Sequence, residues 1–230
     1  MKINNEELYN YLIDSGIRYL YHANSVTTAC TYIKQGGLLS RGAVEEQGLI
    51  QTSQNSDYKD KKYGVWFDIF LDTVDLHELF KGPNFYGPVL FMYSIDVLID
   101  DLTTAIWITK DNPTNWYEEQ TLEDRYFKNV LEYKKLRLPN PYKKMIIIKN
   151  IKKPLNFDLY LKQIILDDPR GIYYGVNFYD KAEEKLINAM ISAGMDTKLL
   201  KKRICNNYCK CFKKYHNNFY SEFFLNKMFL

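Results

Sequence analysis

A strand, a capped helix and a double glycine near the front constrain the fold more than any other part of this chain. The sequence RYLYHAN, residues 18–24, is rich in aromatic and branched residues and predicts a strand that carries His22 near its end. Ser25 then predicts a helix N-cap, and the glycines at 36 and 37 predict the helix stop. A strand that feeds a capped helix in this way places an imidazole at the floor of a cleft.

The rest of the chain mixes helices and strands without regular alternation, which favours an α+β domain over a doubly wound nucleotide fold. Neither G-x-G-x-x-G nor G-x-x-x-x-G-K-[ST] occurs, so no glycine loop is predicted to hold phosphates. Runs of aromatic and branched residues predict strands at 63–71, 89–95, 105–109 and 145–150. Apolar residues at helical spacing predict helices at 4–15, 96–102, 116–135 and 178–193, with one more helix in the C-terminal tail. Residues 41–62 are polar and predict a loop.

Charge is unevenly placed although the net charge of the 230 residues is only +3. No acidic residue lies between Asp196 and Glu222, and the cations there are interleaved with tyrosine and phenylalanine. Such a stretch meets nucleic acid with its cations on phosphates and its rings on bases, whereas the alternative is a solvated helical face. The residues assigned to nucleic acid are Lys201, Lys202, Arg203, Lys213 and Lys214.

Three of the four cysteines crowd together at Cys205, Cys209 and Cys211, with His216 beyond them. This spacing matches neither a disulfide framework nor a paired C-x-x-C zinc site. The sequence therefore predicts free thiols in a reducing compartment and no metal site, with a metal as the alternative. No apolar run reaches the roughly 18 residues of a membrane span, and the N-terminus is polar and acidic, so a cytoplasmic protein without a membrane partner is expected.

Three short motifs follow one another in the first third of the chain, and their order indicates a family. LYHAN at residues 20–24 is followed by the predicted helix, by GLLS at 37–40 and, after the polar loop, by GVWFD at 64–68. This series resembles the first half of the ADP-ribosyltransferase superfamily, and within it the DarT-like enzymes that modify nucleic acid. The resemblance implies a fold with a split mixed β core and outer helices over residues 1–170. A basic helical extension, residues 171–230, would pack on that domain.

The resemblance also implies a reaction, the transfer of ADP-ribose from NAD to DNA or RNA with loss of nicotinamide. It implies a toxin or phage-defence role and an antitoxin protein as partner. His22 would orient the ribose, Arg41 would contact the pyrophosphate, and an aromatic ring near Trp66 would stack on nicotinamide; for His22 the alternative is a core histidine satisfied by a backbone carbonyl. The residues implied for NAD are Tyr21, His22, Asn24, Ser40, Arg41, Trp66 and Phe67.

The catalytic acid is where this chain departs from the family pattern. Transferases of the superfamily carry a glutamate at the start of a late strand, and the matching positions here are Lys143, Lys144 and Met145. Either the register differs, or the chain is inactive, or a toxic enzyme was disabled by substitution. If the register differs, the candidate catalytic residues beside His22 are Glu118, Glu119 and Asp68, with Glu123 and Glu132 as further choices.

Two other functions stay open at this point. A chain that lost its acid would be a non-catalytic module of the same fold that binds nucleotides or nucleic acid. A different enzyme, a magnesium-dependent nuclease, would use Asp68, Asp72 and Asp75, because closely spaced carboxylates bind magnesium.

Overall fold

In the computed structural model the chain folds into two main β-sheets flanked by helices. The structure describes residues 3–100, 103, 105–173, 175–211 and 225–230. The strands are β1 (Tyr19–Asn24), β2 (Gly37–Leu38), β3 (Ile69–Leu71), β4 (Val89–Ser94), β5 (Ile106–Ile108), β6 (Ile146–Ile148), β7 (Leu155–Asn156), β8 (Leu161–Asp168), β9 (Ile172–Tyr173), β10 (Val176–Asn177) and β11 (Leu200–Ile204). The α-helices are α1 (Asn5–Asp14), α2 (Val26–Lys34), α3 (Arg41–Glu46), α4 (Asp57–Lys62), α5 (Leu76–Phe80), α6 (Leu122–Arg125), α7 (Val130–Leu136), α8 (Phe157–Tyr160) and α9 (Phe178–Ser192), with 3₁₀ turns at Ile95–Ile99, Pro113–Asn115, Pro141–Lys143 and Thr197–Leu199.

The two main sheets meet at the strand that carries His22. The first sheet has the order β1-β4-β8-β11, antiparallel except for the parallel pair β8 and β11, and the second has the antiparallel order β3-β6-β5. An isolated bridge between Tyr21 of β1 and Asp72, just after β3, joins them through two N–H···O bonds of 2.9 Å. This bridge holds Asp72 beside the strand of His22.

Burial explains why these segments form the sheets. The strand β6 reads Ile-Ile-Ile and is buried on both faces, and the strand β4 is almost entirely buried. Helix α2 begins after Ser25, whose hydroxyl accepts the N–H of Thr28, and it packs with its apolar face against α9. The expected α+β class is confirmed, and the strands and helices expected at the front of the chain lie within two residues of their predicted limits.

The helix predicted at 116–135 is wrong, because two short helices with separate caps replace it. Thr121 forms a capping box that starts α6, and the Asn129 side chain caps α7. Between them Tyr126 is extended and bridges Thr109 next to β5. Tyr126 and the α7 residues Val130 and Tyr133 therefore reach the core from separate local structures, whereas α6 buries no residue.

The polar stretch at 41–62, predicted to be a loop, contains α3 and α4. The strand predicted at 63–71 shrinks to β3, because the residues before Ile69 form a turn that ends with Asp68 N–H bonded to the Val65 carbonyl. The predicted helix at 96–102 is instead the 3₁₀ turn Ile95–Ile99. Local capping groups, which hydrophobic periodicity does not register, account for these differences.

The stretch expected as a separate helical extension, residues 171–230, contributes α9 but also a strand of the main sheet. The strand β11 pairs in parallel with β8 from Leu200 to Ile204, and its lysines face outward along the sheet edge. Charged side chains are usual on an exposed edge strand because they discourage further pairing. Across the described parts of the chain, no helix has the length and apolar character needed to span a membrane.

Candidate functional site

A cleft opens at the end of β1, where the two sheets meet. It brings together five predicted site residues from separate parts of the sequence. They are His22, Asn24, Arg41, Trp66 and Asp68, and further lining residues are Tyr32, Gln54, Ser56, Asp60, Asp72, Tyr86, Asn112 and Met145.

His22 is half-buried, and both ring nitrogens have neighbours that define its state. Nδ1 lies 2.9 Å from the Phe70 carbonyl oxygen, so Nδ1–H donates and Nε2 is left as an acceptor, 3.4 Å from the amide nitrogen of Asn24. Burial lowers the pKa of His22, which keeps the ring neutral at physiological pH. The histidine is thus both satisfied by a backbone carbonyl and exposed to the cleft, where a hydroxyl group could donate to Nε2.

Three carboxyl groups line the same cleft, and burial raises the pKa of each. The pKa of Asp72 rises to about 7 through burial and the nearby Asp75, and that of Asp60 rises to about 6, mainly through burial. The pKa of Asp68 is also raised, although the ion pair between Asp68 and Lys149, 2.6 Å apart, opposes that rise. Titratable groups shifted by burial inside a cleft are typical of functional sites.

Arg41 and Trp66 are already engaged with other side chains. The Arg41 guanidinium forms a two-point ion pair with Asp57, with Nε–Oδ1 at 2.6 Å and Nη2–Oδ2 at 2.7 Å. Arg41 and Lys61 both lie over the Trp66 ring, and the indole N–H donates to Glu45 at 2.7 Å. A ligand in the cleft therefore meets an arginine whose charge Asp57 balances and an indole whose faces are partly covered.

Other predicted residues lie away from the cleft. Ser40 is buried as the N-cap of α3 and donates to the Ile151 carbonyl at 2.9 Å. Tyr21 alternates with His22 along β1 and faces the other side of the sheet. Phe67 packs on Gly42 and under Lys152. Glu118 and Glu119, the favoured acids, are exposed at the surface, and Glu118 pairs with Lys62.

The start of the late strand carries no acid. Lys144 is buried, and its ammonium donates to the Asn140 carbonyl at 3.1 Å, while Met145 contributes an apolar side chain to the cleft. Burial lowers the pKa of Lys144. The carboxyls that share the cleft with His22 come from α4 (Asp60) and from the residues directly before and after β3 (Asp68 and Asp72) instead.

A second, wider cleft adjoins the first and encloses about 1980 Å³, counting open space. The two clefts adjoin and share the lining residues Gln54, Ser56, Tyr86, Asn112 and Thr114. The far wall of this wider cleft is aromatic and basic. It includes Phe80, Phe85, Lys210 and Lys227.

The basic residues predicted for nucleic acid differ in their surroundings. Lys201 is exposed, and Lys202 lies over the Tyr179 ring and pairs with Asp168 at 2.9 Å. Arg203 is mostly buried between Asp75 and Asp167, at 2.5 Å from each, so it supports the fold instead of offering a free cation. Lys213 and Lys214 lie outside the described residues.

The acidic residues proposed for a nuclease do not converge. Asp68 pairs with Lys149, while Asp75 pairs with Arg203 and caps α5. Within the part of the chain that the structure describes, one group of three or more metal-ligating side chains has its ligand atoms close together. It consists of His77, Cys205, Cys209 and Cys211, all buried. His216, the histidine nearest to these cysteines in sequence, lies outside the described residues.

Sequence reasoning missed several residues of the His22 cleft and of the cluster formed by His77 and the three cysteines. Asp60 lines the cleft from the segment predicted to be a loop, Tyr86 from a segment with no predicted element, and His77 joins the cysteines from more than a hundred residues away. The sequence places Asp72 in the nuclease hypothesis, although a carboxylate directly after a strand of the second sheet is a reasonable signal for a cleft. No family model matches this chain, and no curated protein matches it.

Proposed function

We propose that this chain is an ADP-ribosyltransferase that cleaves NAD in the His22 cleft and transfers ADP-ribose to a nucleic acid. The observation that carries the proposal is a neutral histidine, His22, in a cleft that the buried Asp72 also lines. The two-sheet core, joined at the strand of His22, is compatible with the split core that the sequence resemblance implies.

In the proposed reaction the bond between the ribose and nicotinamide breaks. The bond electrons leave with nicotinamide, which departs neutral, and the ribose becomes cationic. His22 accepts a hydrogen bond from a ribose hydroxyl through Nε2 and so orients the sugar. The Asp72 carboxylate stabilises the cation, and a nitrogen or oxygen of the acceptor attacks it and loses its proton to Asp72.

Asp72 therefore takes the place of the glutamate that the family pattern expects from the late strand. The pKa of Asp72, about 7, suits a group that holds charge in one step and accepts a proton in the next. The positively charged nicotinamide of bound NAD favours the ionised form, because an opposite charge at close range lowers the pKa of a carboxyl.

The wider cleft supports a nucleic acid as the acceptor. Its wall combines lysines with exposed or half-buried aromatic rings, a combination that binds single-stranded nucleic acid through phosphate contacts and base stacking. Because this cleft adjoins the first, the proposal places the acceptor base there, next to the reacting ribose. A toxin or phage-defence role with an antitoxin partner follows from the sequence resemblance alone.

The test is label transfer from adenine-labelled NAD to single-stranded DNA, duplex DNA, RNA and protein, with nicotinamide release measured in parallel. We expect transfer to a nucleic acid and its loss in both His22→Ala and Asp72→Asn. Asp14→Asn, an exposed carboxyl change at the end of α1, is the matched control. Loss of transfer in Glu118→Gln but not in Asp72→Asn would overturn the role of Asp72.

A non-catalytic binding module of the same fold is the second candidate, and the apolar Met145 at the start of the late strand favours it. This candidate predicts that the parent protein binds NAD or nucleic acid with no nicotinamide release. Binding that disappears in His22→Ala, combined with no turnover for any acceptor, would support the module over the enzyme.

A further inference from the structure

The cluster of His77, Cys205, Cys209 and Cys211 lies apart from the proposed catalytic cleft, at the end of β11. Cys205 follows the last residue of this strand, and its N–H donates to the Asp168 carbonyl at 2.9 Å. Asn206 then caps a tight turn by accepting the N–H groups of Tyr208 and Cys209, both at 3.0 Å. The turn folds the chain back so that three thiols converge.

His77 reaches the same point from α5. Its Nε2 lies 3.4 Å from the Cys209 sulfur and 3.8 Å from the Cys205 sulfur. All four ligand atoms of the cluster lie within 4.8 Å of one another. In a tetrahedral zinc site with bonds of about 2.3 Å to sulfur and 2.0–2.1 Å to nitrogen, ligand atoms are about 3.6–3.8 Å apart. The two distances from His77 Nε2 match such a site, and the limit of 4.8 Å for the whole set is within about 1 Å of it.

The other ring nitrogen of His77 is held as in metal sites. Nδ1 lies 2.5 Å from Asp167 Oδ2, and the second oxygen of Asp167 accepts from Arg203 at 2.5 Å. A carboxylate behind a histidine fixes the ring and directs its free nitrogen at the metal.

We propose that His77, Cys205, Cys209 and Cys211 bind one structural zinc ion. A set of three thiolates and one imidazole in tetrahedral spacing is typical of zinc, and burial of all four side chains leaves no open position for a substrate. The proposal concerns residues that the transferase chemistry does not use, so it stands or falls separately from that function.

The ion would fasten α5 to the turn after β11. The same contact is supported by the Lys210 N–H, which donates to the Lys81 carbonyl at 2.7 Å, and by the close approach of Gly82 to the Lys210 side chain. Gly82 and Lys210 both line the wider cleft. Zinc thus holds one wall of the cleft assigned to the acceptor.

The zinc content of the full chain, purified under reducing conditions, tests the proposal directly. We expect about one zinc ion per chain. We expect zinc at background level in Cys209→Ser, whereas Cys30→Ser, which changes the cysteine on α2, retains it. A parent protein without zinc, or a Cys209→Ser protein that keeps it, overturns the proposal. A disulfide among the three cysteines in the reduced preparation overturns it as well.

Two further measurements keep the test decisive if Cys209→Ser does not fold. The parent protein loaded with Co²⁺ in place of zinc should show the visible absorption of tetrahedral, thiolate-bound cobalt, and an octahedral spectrum contradicts the proposed ligand set. Asp167→Asn should weaken zinc affinity by about 10–100-fold in competition with a chelator, because the support behind His77 is lost. Asp168→Asn, the adjacent carboxyl that pairs with Lys202, is the matched control; equal affinity in both variants contradicts the role of Asp167.

Discussion

The ionisation of Asp72 should make this protein less stable as the pH rises through neutrality. Asp72 is buried beside the cleft, and its pKa in the folded protein is about 7, against about 3.9 in an unfolded chain. Between these values the folded state binds more protons than the unfolded state. The free energy of unfolding therefore falls with pH in this window, which is opposite to the usual behaviour of a salt-bridged aspartate.

The size of the effect follows from the two pKa values. A difference of about 3 pH units corresponds to about 4 kcal/mol over the whole window, at about 1.4 kcal/mol per unit. Between about pH 5 and about pH 8 the calculated loss is about 2–3 kcal/mol, because the folded group is half ionised near pH 7. Asp72→Asn removes the titration but keeps the shape of the side chain.

Urea denaturation of the parent and of Asp72→Asn at both pH values measures this effect. We expect the stability of the variant relative to the parent to increase by about 2–3 kcal/mol from about pH 5 to about pH 8. Other titrating groups cancel in the comparison, since both proteins carry them, and Asp14→Asn controls for the removal of one carboxyl. A relative stability that stays constant, or that changes in the opposite direction, would refute the burial argument for Asp72.

Two further perturbations test the structure around the cleft. Gly87 has φ +146°, and a Cβ there would lie 2.1 Å from the Asn24 carbonyl oxygen. Gly87→Ala should therefore destabilise the fold by clearly more than Gly48→Ala, because Gly48 has a left-handed backbone in open space and its substitution lowers stability by about 1–2 kcal/mol. Equal thermal shifts for the two variants would contradict the close approach at Gly87. Lys149→Met should lower the free energy of unfolding, measured by urea denaturation, by about 3–5 kcal/mol, because it leaves Asp68 buried without its cation. Adding Asp68→Asn to the same chain should recover part of that loss. No recovery in the double variant would show that the ion pair is not the cause.

The front of the fold could be predicted because its signals are local. Ser25 caps α2 with its own hydroxyl, and the apolar positions of α2 repeat at helical spacing. The strand β1 and the helix α2 therefore lie close to where the sequence places them. His22 at the cleft follows from the same local pattern, since a residue near the end of a strand is placed by that strand.

The acid of the cleft could not be predicted because it depends on a contact between the sheets. Asp72 is beside His22 only because Tyr21 and Asp72 exchange backbone hydrogen bonds across the sheet junction. Glu118 has the right residue type next to aromatic residues, but the extended residue Tyr126 and two separate caps place its segment at the surface. Similarly, no local spacing links His77 to the cysteines, because His77 comes from α5 and the cysteines follow β11.

Arg203 links Asp75 to the proposed zinc site, although these residues are far apart in the sequence. Its guanidinium binds Asp75 on one side and Asp167 on the other, and Asp167 in turn holds His77. Asp75 also contributes to the raised pKa of Asp72. A residue that looks in sequence like one of several phosphate-binding cations is, in the folded chain, held between Asp75 and the Asp167 that supports the proposed zinc ligand His77. A buried cation shared by two carboxylates cannot be removed without leaving both uncompensated, so Arg203 ties β11 both to Asp75 at the start of α5 and to the support of His77.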